Sequence, residues 1–416
     1  MNKPLYVVLV LGAFGWWHPV WGYEILTHER MSHEAAMGSM LGKPDGKALA
    51  DLGLKFSITD DRQQFPNSSG EQRNIRDLIG DGSRFEDNLP RPLNHFYDPL
   101  HDAPLAGGHK SPDWALEDNL DIGDQWYSYK EARDYLHKAL TATDEDKRKL
   151  YFGLTFQTLG HVIHHVQDMA QPQHVRNDAH CDQWYCFGSL RNYSRYEKYT
   201  DKPEIRGNLP FSGYPAVTFD QARSFWTTGT GQGLAQYTNR NFVSAGTNFK
   251  LADDGQIGTD PRYSAPRWNG TTESVPIQTL LQDDGTCPPG STAPACQLQG
   301  DVVFYGSTVT DNYRGLTIPN PRASTASIFD QDLEHYDKKA EYRIEDTGQV
   351  IATNRLFTLN RFNFDAAHEF LIPRAVAYSA GLIDYFFRGK LGAEDVTFTD
   401  TVIALKVKNA IARSNT

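Results

Sequence analysis

The feature that most constrains this chain is a run of potential metal ligands within fourteen residues: His161, His164, His165, Asp168 and His174. Residues 144–169 have a helical apolar pattern, and Thr143-Asp144-Glu145-Asp146 supplies the acidic start that suits a helix N-terminus. On such a helix His164 and Asp168 are four apart and share a face, so both can reach one cation. His161 and His165 form a second pair on an adjoining strip, where packing or support of neighbouring ligands is the better expectation. Pro172 ends the helix, which lets the chain return His174 toward the ligands it has just left. Imidazole nitrogen and carboxylate oxygen together favour zinc or a similar borderline ion. The ordered set His-x-x-x-Asp-x-x-x-x-x-His is therefore read as a metal motif.

The rest of the chain supplies a mostly helical frame. Helical spacing recurs from Tyr23 to about Met40, over residues 129–140, and over 362–387 with a kink at Pro373 and Gly389 as a stop. Asp87 to Pro112 is a Pro- and Asp-rich connection. Residues 206–355 are rich in Gly, Thr, Pro and Asn with little helical period, and read as a looped insertion with short β-pieces. The tail, 389–416, alternates weakly over 396–411, the pattern of a pair of strands. Aromatics at 12% and charged residues at 22% exclude a disordered chain.

The extreme N-terminus carries Lys3, an apolar run from Leu5 to Trp17, and Val20-Trp21-Gly22 as a cleavage-site pattern. Residues 1–22 thus read as a secretory signal peptide, with an uncleaved anchor the weaker alternative because the run is short for a span. Export would make the four cysteines two local loop-stapling disulfides, Cys181/Cys186 and Cys287/Cys296. A zinc knuckle is the alternative, but the spacings fit no usual zinc pattern.

Two further segments carry candidate ligands. Asn94-His95-Phe96-Tyr97-Asp98-Pro99 sets a histidine in an aromatic-flanked turn, eight residues after Asp87. At the start of the expected mature chain, His28 follows Tyr23 by little more than one helical turn. A freed α-amine, with a pKa of about 7.7–8.0, can donate a neutral nitrogen to a metal. With its own carbonyl oxygen it would close a five-membered chelate. A mature start at Trp21 would move that ligand by two residues.

Together these segments resemble the zinc-dependent phospholipase C and single-strand-specific nuclease superfamily, over roughly residues 23–200 and again near 365–388. The resemblance implies a helical bundle holding two or three zinc ions. It implies that Tyr23, through amine and carbonyl, and His28 bind one zinc. Asp87, His95, His164, Asp168 and His174 match further ligands, with Asp168 bridging two ions. Asp87 also inherits the role of general base that orients the attacking water, with Asp81 the alternative if the Gly80 turn aligns instead. A closing His-x-x-x-Glu is expected, but here Tyr193 precedes Glu197, so Glu197 matches and His180 is the candidate substitute for the missing histidine. The fold expected is mostly α: one helical domain over 23–388, interrupted at about 206–355.

Such a cluster suits phosphodiester hydrolysis by activated water, which needs no protein nucleophile. The first expectation is a secreted phospholipase C acting on phospholipids at a membrane surface, releasing diacylglycerol and a phosphorylated headgroup. Exposed aromatics near the site would serve that role; Phe225, Trp226, Tyr237 and Phe242 are candidates, with core packing the better expectation for each. The second expectation is an extracellular nuclease, disfavoured by a net charge of −11, which opposes polyanion binding. A third is a binding protein that metals only staple, which would show closed coordination. No obligate protein partner and no headgroup-selecting box is visible in the sequence.

Overall fold

A computed structural model describes residues 25–88, 91–117, 122–123, 125–180, 194–244, 268–297, 299–325, 359–388, 391–398 and 403–409. The signal-peptide segment, Tyr23, Tyr193, Cys181, Cys186 and Gly389 lie outside the described residues. Helices dominate: α1 (Ile25–Gly38), α2 (Lys47–Asp51), α3 (Ile75–Phe85), α4 (Ser111–Leu116), α5 (Tyr129–Thr141) and α6 (Glu145–Asp168) precede the insertion. Helices α7 (Arg195–Thr200), α8 (Pro203–Arg206), α9 (Leu234–Asn241), α10 (Ile277–Asp283) and a closing helix α11 (Arg361–Phe387) follow. None is long and apolar enough to cross a membrane.

The central element is α6. Its start is set locally: the Asp144 side chain accepts from the Lys147 amide, and Glu145 and Asp146 in the first turn complement the helix dipole. From Phe152 onward nearly every residue is buried, so this half must be surrounded. Helices α1, α3, α5 and α11 pack around it. The approach of α3 is unusually close. A Cβ added at Gly82 would lie 1.8 Å from the Gln157 carbonyl oxygen, and one at Gly160 would lie 2.1 Å from that of Ile79. Only glycine permits backbone contact at this crossing. It sits one turn from His164 and at the end of α3 that leads to Asp87.

The insertion is more ordered than a set of loops with short β-pieces. Apart from the short pair β1 (Phe65–Pro66) and β2 (Gln72–Arg73) ahead of α3, strands β3 (Trp268–Pro276), β4 (Asp301–Asp311) and β5 (Leu316–Thr325) form an antiparallel sheet in that order. Its composition hid the strands because buried positions carry polar Ser307, Asn320, Ser324 and Thr325 beside Val302, Phe304 and Val309, so no apolar alternation marks them. The sheet has a small core of its own with α10 and Phe362, beside the Cys287–Cys296 disulfide. It is tied to the helices by a buried Arg374–Asp311 ion pair of 2.7 Å. Within the insertion, Phe225, Trp226, Tyr237 and Phe242 are all buried. They pack into the main core, the better of the two expectations for each. The closing helix runs on through Pro373. Beyond it β6 (Leu391–Phe398) and β7 (Ile403–Asn409) pair antiparallel, starting earlier than the sequence pattern suggested.

Candidate metal centre

Four elements converge at the C-terminal half of α6. Helix α1 brings His28, the end of α3 brings Asp87, the segment after the short helical turn Arg91–Asn94 brings His95, and α6 itself brings His164 and Asp168. The turn after α6, capped where Pro172 interrupts it, leads into the short helical turn His174–Arg176 and returns His174. All six side chains are fully buried.

The Asp168 carboxylate is the centre. Its Oδ2 faces His95 Nδ1 at 3.1 Å and His164 Nε2 at 3.2 Å. Its Oδ1 faces His174 Nδ1 at 3.3 Å and His28 Nε2 at 3.4 Å. Neither oxygen has a hydrogen-bond partner, although buried carboxylates nearly always do. The ring tautomers sharpen this. His164 Nδ1 donates to the Ser83 carbonyl oxygen at 2.8 Å, so in the neutral ring Nε2 carries a lone pair aimed at Asp168. His28 Nδ1 lies 2.7 Å from Gln167 Oε1, whose amide nitrogen is committed to Ser32, so its Nε2 is likewise a lone pair. Lone pairs converging on a carboxylate in a dry site repel one another unless a cation sits between them.

The separations favour that reading. Tetrahedral ligands about 2.0–2.2 Å from a zinc ion lie about 3.4 Å from each other. Asp87 Oδ1 is 3.6 Å from both His95 Nδ1 and His164 Nε2, and the Asp168 contacts fall in the same range. Four groups of candidate ligands result: His28 with Asp87 and His164; His95 with His164 and Asp168; His174 with His180 and Glu197; and Glu86 with His95 and His165.

The His174–His180–Glu197 group brings His180 beside Glu197. Glu197, on α7, lies 3.1 Å from His180 Nε2 and 3.4 Å from His174 Nε2. His180 Nδ1 donates to the Asp178 carbonyl oxygen, which leaves Nε2 for the carboxylate side. His180 thus meets Glu197, while Tyr193 lies outside the described residues. The Glu197 carboxylate also accepts from Gln171 at 2.6 Å, an orienting contact that no spacing in the sequence announced.

Electrostatics follow the same geometry. Burial would raise the Asp168 carboxyl, but His164, His174 and His95 outweigh it and hold it well below the usual range. Burial likewise opposes ionisation of Glu197, yet His180 and His174 bring it down to about 2. Burial pulls the His174 imidazole down, while Asp168 and Glu197 prevail and hold it up at about 9. His95, dominated by burial, is pushed down to about 3 and stays neutral, as a metal ligand must.

His161 and His165 do not join the ligands. Both contact Glu86, at 2.6 and 2.8 Å, as packing partners. Asp81, the alternative to Asp87, is turned away toward Asn67 and Arg73 on the far side of α3. Glu86 and the amides of Gln167 and Gln171 were missed by sequence reasoning, because their roles depend on contacts between distant segments. Compared with family models, curated proteins and solved structures, the chain matches none.

Proposed function

We propose that this chain is a secreted, zinc-dependent phosphodiesterase, and that its substrate is a phospholipid cleaved in the manner of a phospholipase C. The observation that carries the reading is the Asp168 carboxylate, buried without a hydrogen bond and faced on both oxygens by pairs of imidazole nitrogens. Two oxygens with separate nitrogen sets suit a carboxylate shared between two cations. The residues that would hold zinc are His28, Asp87, His95, His164, Asp168, His174, His180 and Glu197, with the Tyr23 amine and carbonyl added by the resemblance. Bound there, zinc would supply Lewis-acid polarisation of a phosphodiester and acidify a water.

The chain's own residues do the rest. Asp87 follows the end of α3, outside the central helix, so its carboxylate can align a water and take its proton. Ser83 and Gln167 hold the His164 and His28 rings so that Nε2 faces inward. The complete burial of the ligand set strengthens every charge interaction in the site. The net charge of −11 favours a lipid over a polynucleotide substrate. The Cys287–Cys296 disulfide and the N-terminal apolar run support export.

The test is hydrolysis of phosphatidylcholine vesicles against single-stranded DNA, with and without chelator. Diacylglycerol release that the chelator abolishes is expected. DNA cleavage without diacylglycerol would move the substrate to nucleic acid. Activity indifferent to chelator would end the metal reading.

A further inference from the structure

Glu86 and Asp87 are consecutive, fully buried carboxylates with opposite surroundings. Asp87 faces the imidazole nitrogens of the metal centre at 3.6 Å, whereas Glu86 is ringed by donors at hydrogen-bond distance. Its Oε2 accepts from Arg91 Nε at 2.7 Å and lies 2.6 Å from His161 Nδ1. Its Oε1 accepts from Trp114 Nε1 at 3.0 Å and lies 2.8 Å from His165 Nε2. These partners come from the turn after α3, from α4 and from α6.

Glu86, His95 and His165 also lie close enough together to suggest a metal group. The donors argue against it. A cation there would meet the Arg91 guanidinium, which is already paired with the Glu86 carboxylate at 2.7 Å.

The remaining neighbour of Glu86 is His95. Its Nδ1 points at Asp168, while its Nε2 is buried, has no hydrogen-bond partner, and lies 3.9 Å from Glu86 Oε1. A histidine that gives its Nδ1 lone pair to a metal keeps its proton on Nε2, and that proton needs an acceptor. Glu86 is the acidic side chain on that side of the ring.

We propose that Glu86 is a positioning residue for the metal centre: it accepts the His95 Nε2 proton, so fixing the tautomer and aim of that ring, and Arg91, Trp114, His161 and His165 hold its carboxylate in place for this purpose. Closing 3.9 Å to a hydrogen bond takes about 1 Å of movement by the His95 ring. Outer carboxylates of this kind orient metal-binding histidines in other proteins, and losing one costs roughly 10–100-fold in metal affinity. The inference rests on the metal reading above, and zinc binding by the wild-type chain tests that reading separately.

The experiment titrates zinc into the full chain and into Glu86→Gln, using a competing chelator. Glu86→Gln keeps the size and one acceptor oxygen but loses the charge and turns the other oxygen into a donor. Expected is a loss of roughly 10–100-fold at one site, with the His174–His180–Glu197 site within twofold of wild type. Phe304→Leu, a cavity in the small core beneath the sheet, should cost stability while leaving zinc affinity within twofold. Equal loss in both variants, or none in Glu86→Gln, would overturn the proposal. Imidazole nitrogen spectra of the zinc-loaded wild type decide even if Glu86→Gln fails to fold. A His95 ring protonated at Nε2 and bound through Nδ1 is expected, and the reverse tautomer would refute it. A wild-type chain that binds no zinc would instead sink the metal reading itself.

Discussion

Gly160→Ala gives the sharpest test of how this fold builds its site. By helix propensity alone the change should help, since glycine inside a helix costs about 1 kcal/mol relative to alanine. The packing says otherwise. The new methyl carbon would lie 2.1 Å from the Ile79 carbonyl oxygen, 2.8 Å from the Ser83 amide nitrogen and 2.9 Å from Gly82 Cα. Ordinary contact begins near 3.4 Å, and these atoms are backbone, so no rotamer relieves the clash. Helix α3 must back away by about 1 Å, and overpacking of this kind costs about 1–3 kcal/mol or more. For backbone contacts this short the upper end, about 3 kcal/mol, applies, and subtracting the propensity gain of about 1 leaves a net loss of about 2 kcal/mol, opposite in sign to the propensity rule. The movement also reaches the site. Ser83 accepts from His164 Nδ1 at 2.8 Å, and backing off by that much breaks the bond that fixes the ring. Urea denaturation in chelator reads the first effect, and zinc affinity at the His164 site reads the second. A variant as stable as wild type, with unchanged zinc binding, would refute the claim that these two backbones touch.

Asp168→Asn should abolish hydrolysis and lower bound zinc by more than one equivalent on equilibrium dialysis, since both oxygens face nitrogen sets; loss of one equivalent or none would show that Asp168 is not shared. His180→Ala should remove one zinc equivalent while Tyr193→Phe removes none, and the opposite result would return the tyrosine to the site. Acid should strip the His174–His180–Glu197 group first: zinc must displace the proton that His174 holds up to about 9, so affinity there should fall about 100-fold between pH 8 and 6, as competition titrations can show. Without metal the sign at high pH reverses for stability. The raised His174 contributes fully below its ordinary 6.5 and loses that contribution as pH rises through about 9, so in chelator the chain should unfold more easily at pH 9 than at pH 6. Glu197, lowered to about 2, contributes above its ordinary 4.5 and loses its share only in strong acid.

What the sequence determined by itself is the local part. Helix α6, its acidic cap and the placement of His164 and Asp168 on one face follow from residues within one turn of each other, so spacing alone specifies them. The return of His174 after Pro172 is local for the same reason, and so is the Cys287–Cys296 bridge across nine residues. Only the tertiary structure decided the rest. His180 meets Glu197 because α7 folds back against the turn after α6, and no spacing between positions 180 and 197 encodes that. Asp87 faces the ligands while Asp81 turns to Arg73 because the crossing of α3 over α6 sets which side of α3 looks inward. Phe225, Trp226, Tyr237 and Phe242 are buried because the insertion packs onto the helices rather than projecting into solvent. The strands β3 to β5 escaped the sequence pattern because polar Ser307, Asn320, Ser324 and Thr325 are buried within them and read as loop until the partner strands are in place. Residues on one turn are held together by the covalent chain. Residues on different helices meet only where backbone contact, as at Gly82 and Gly160, brings their helices together.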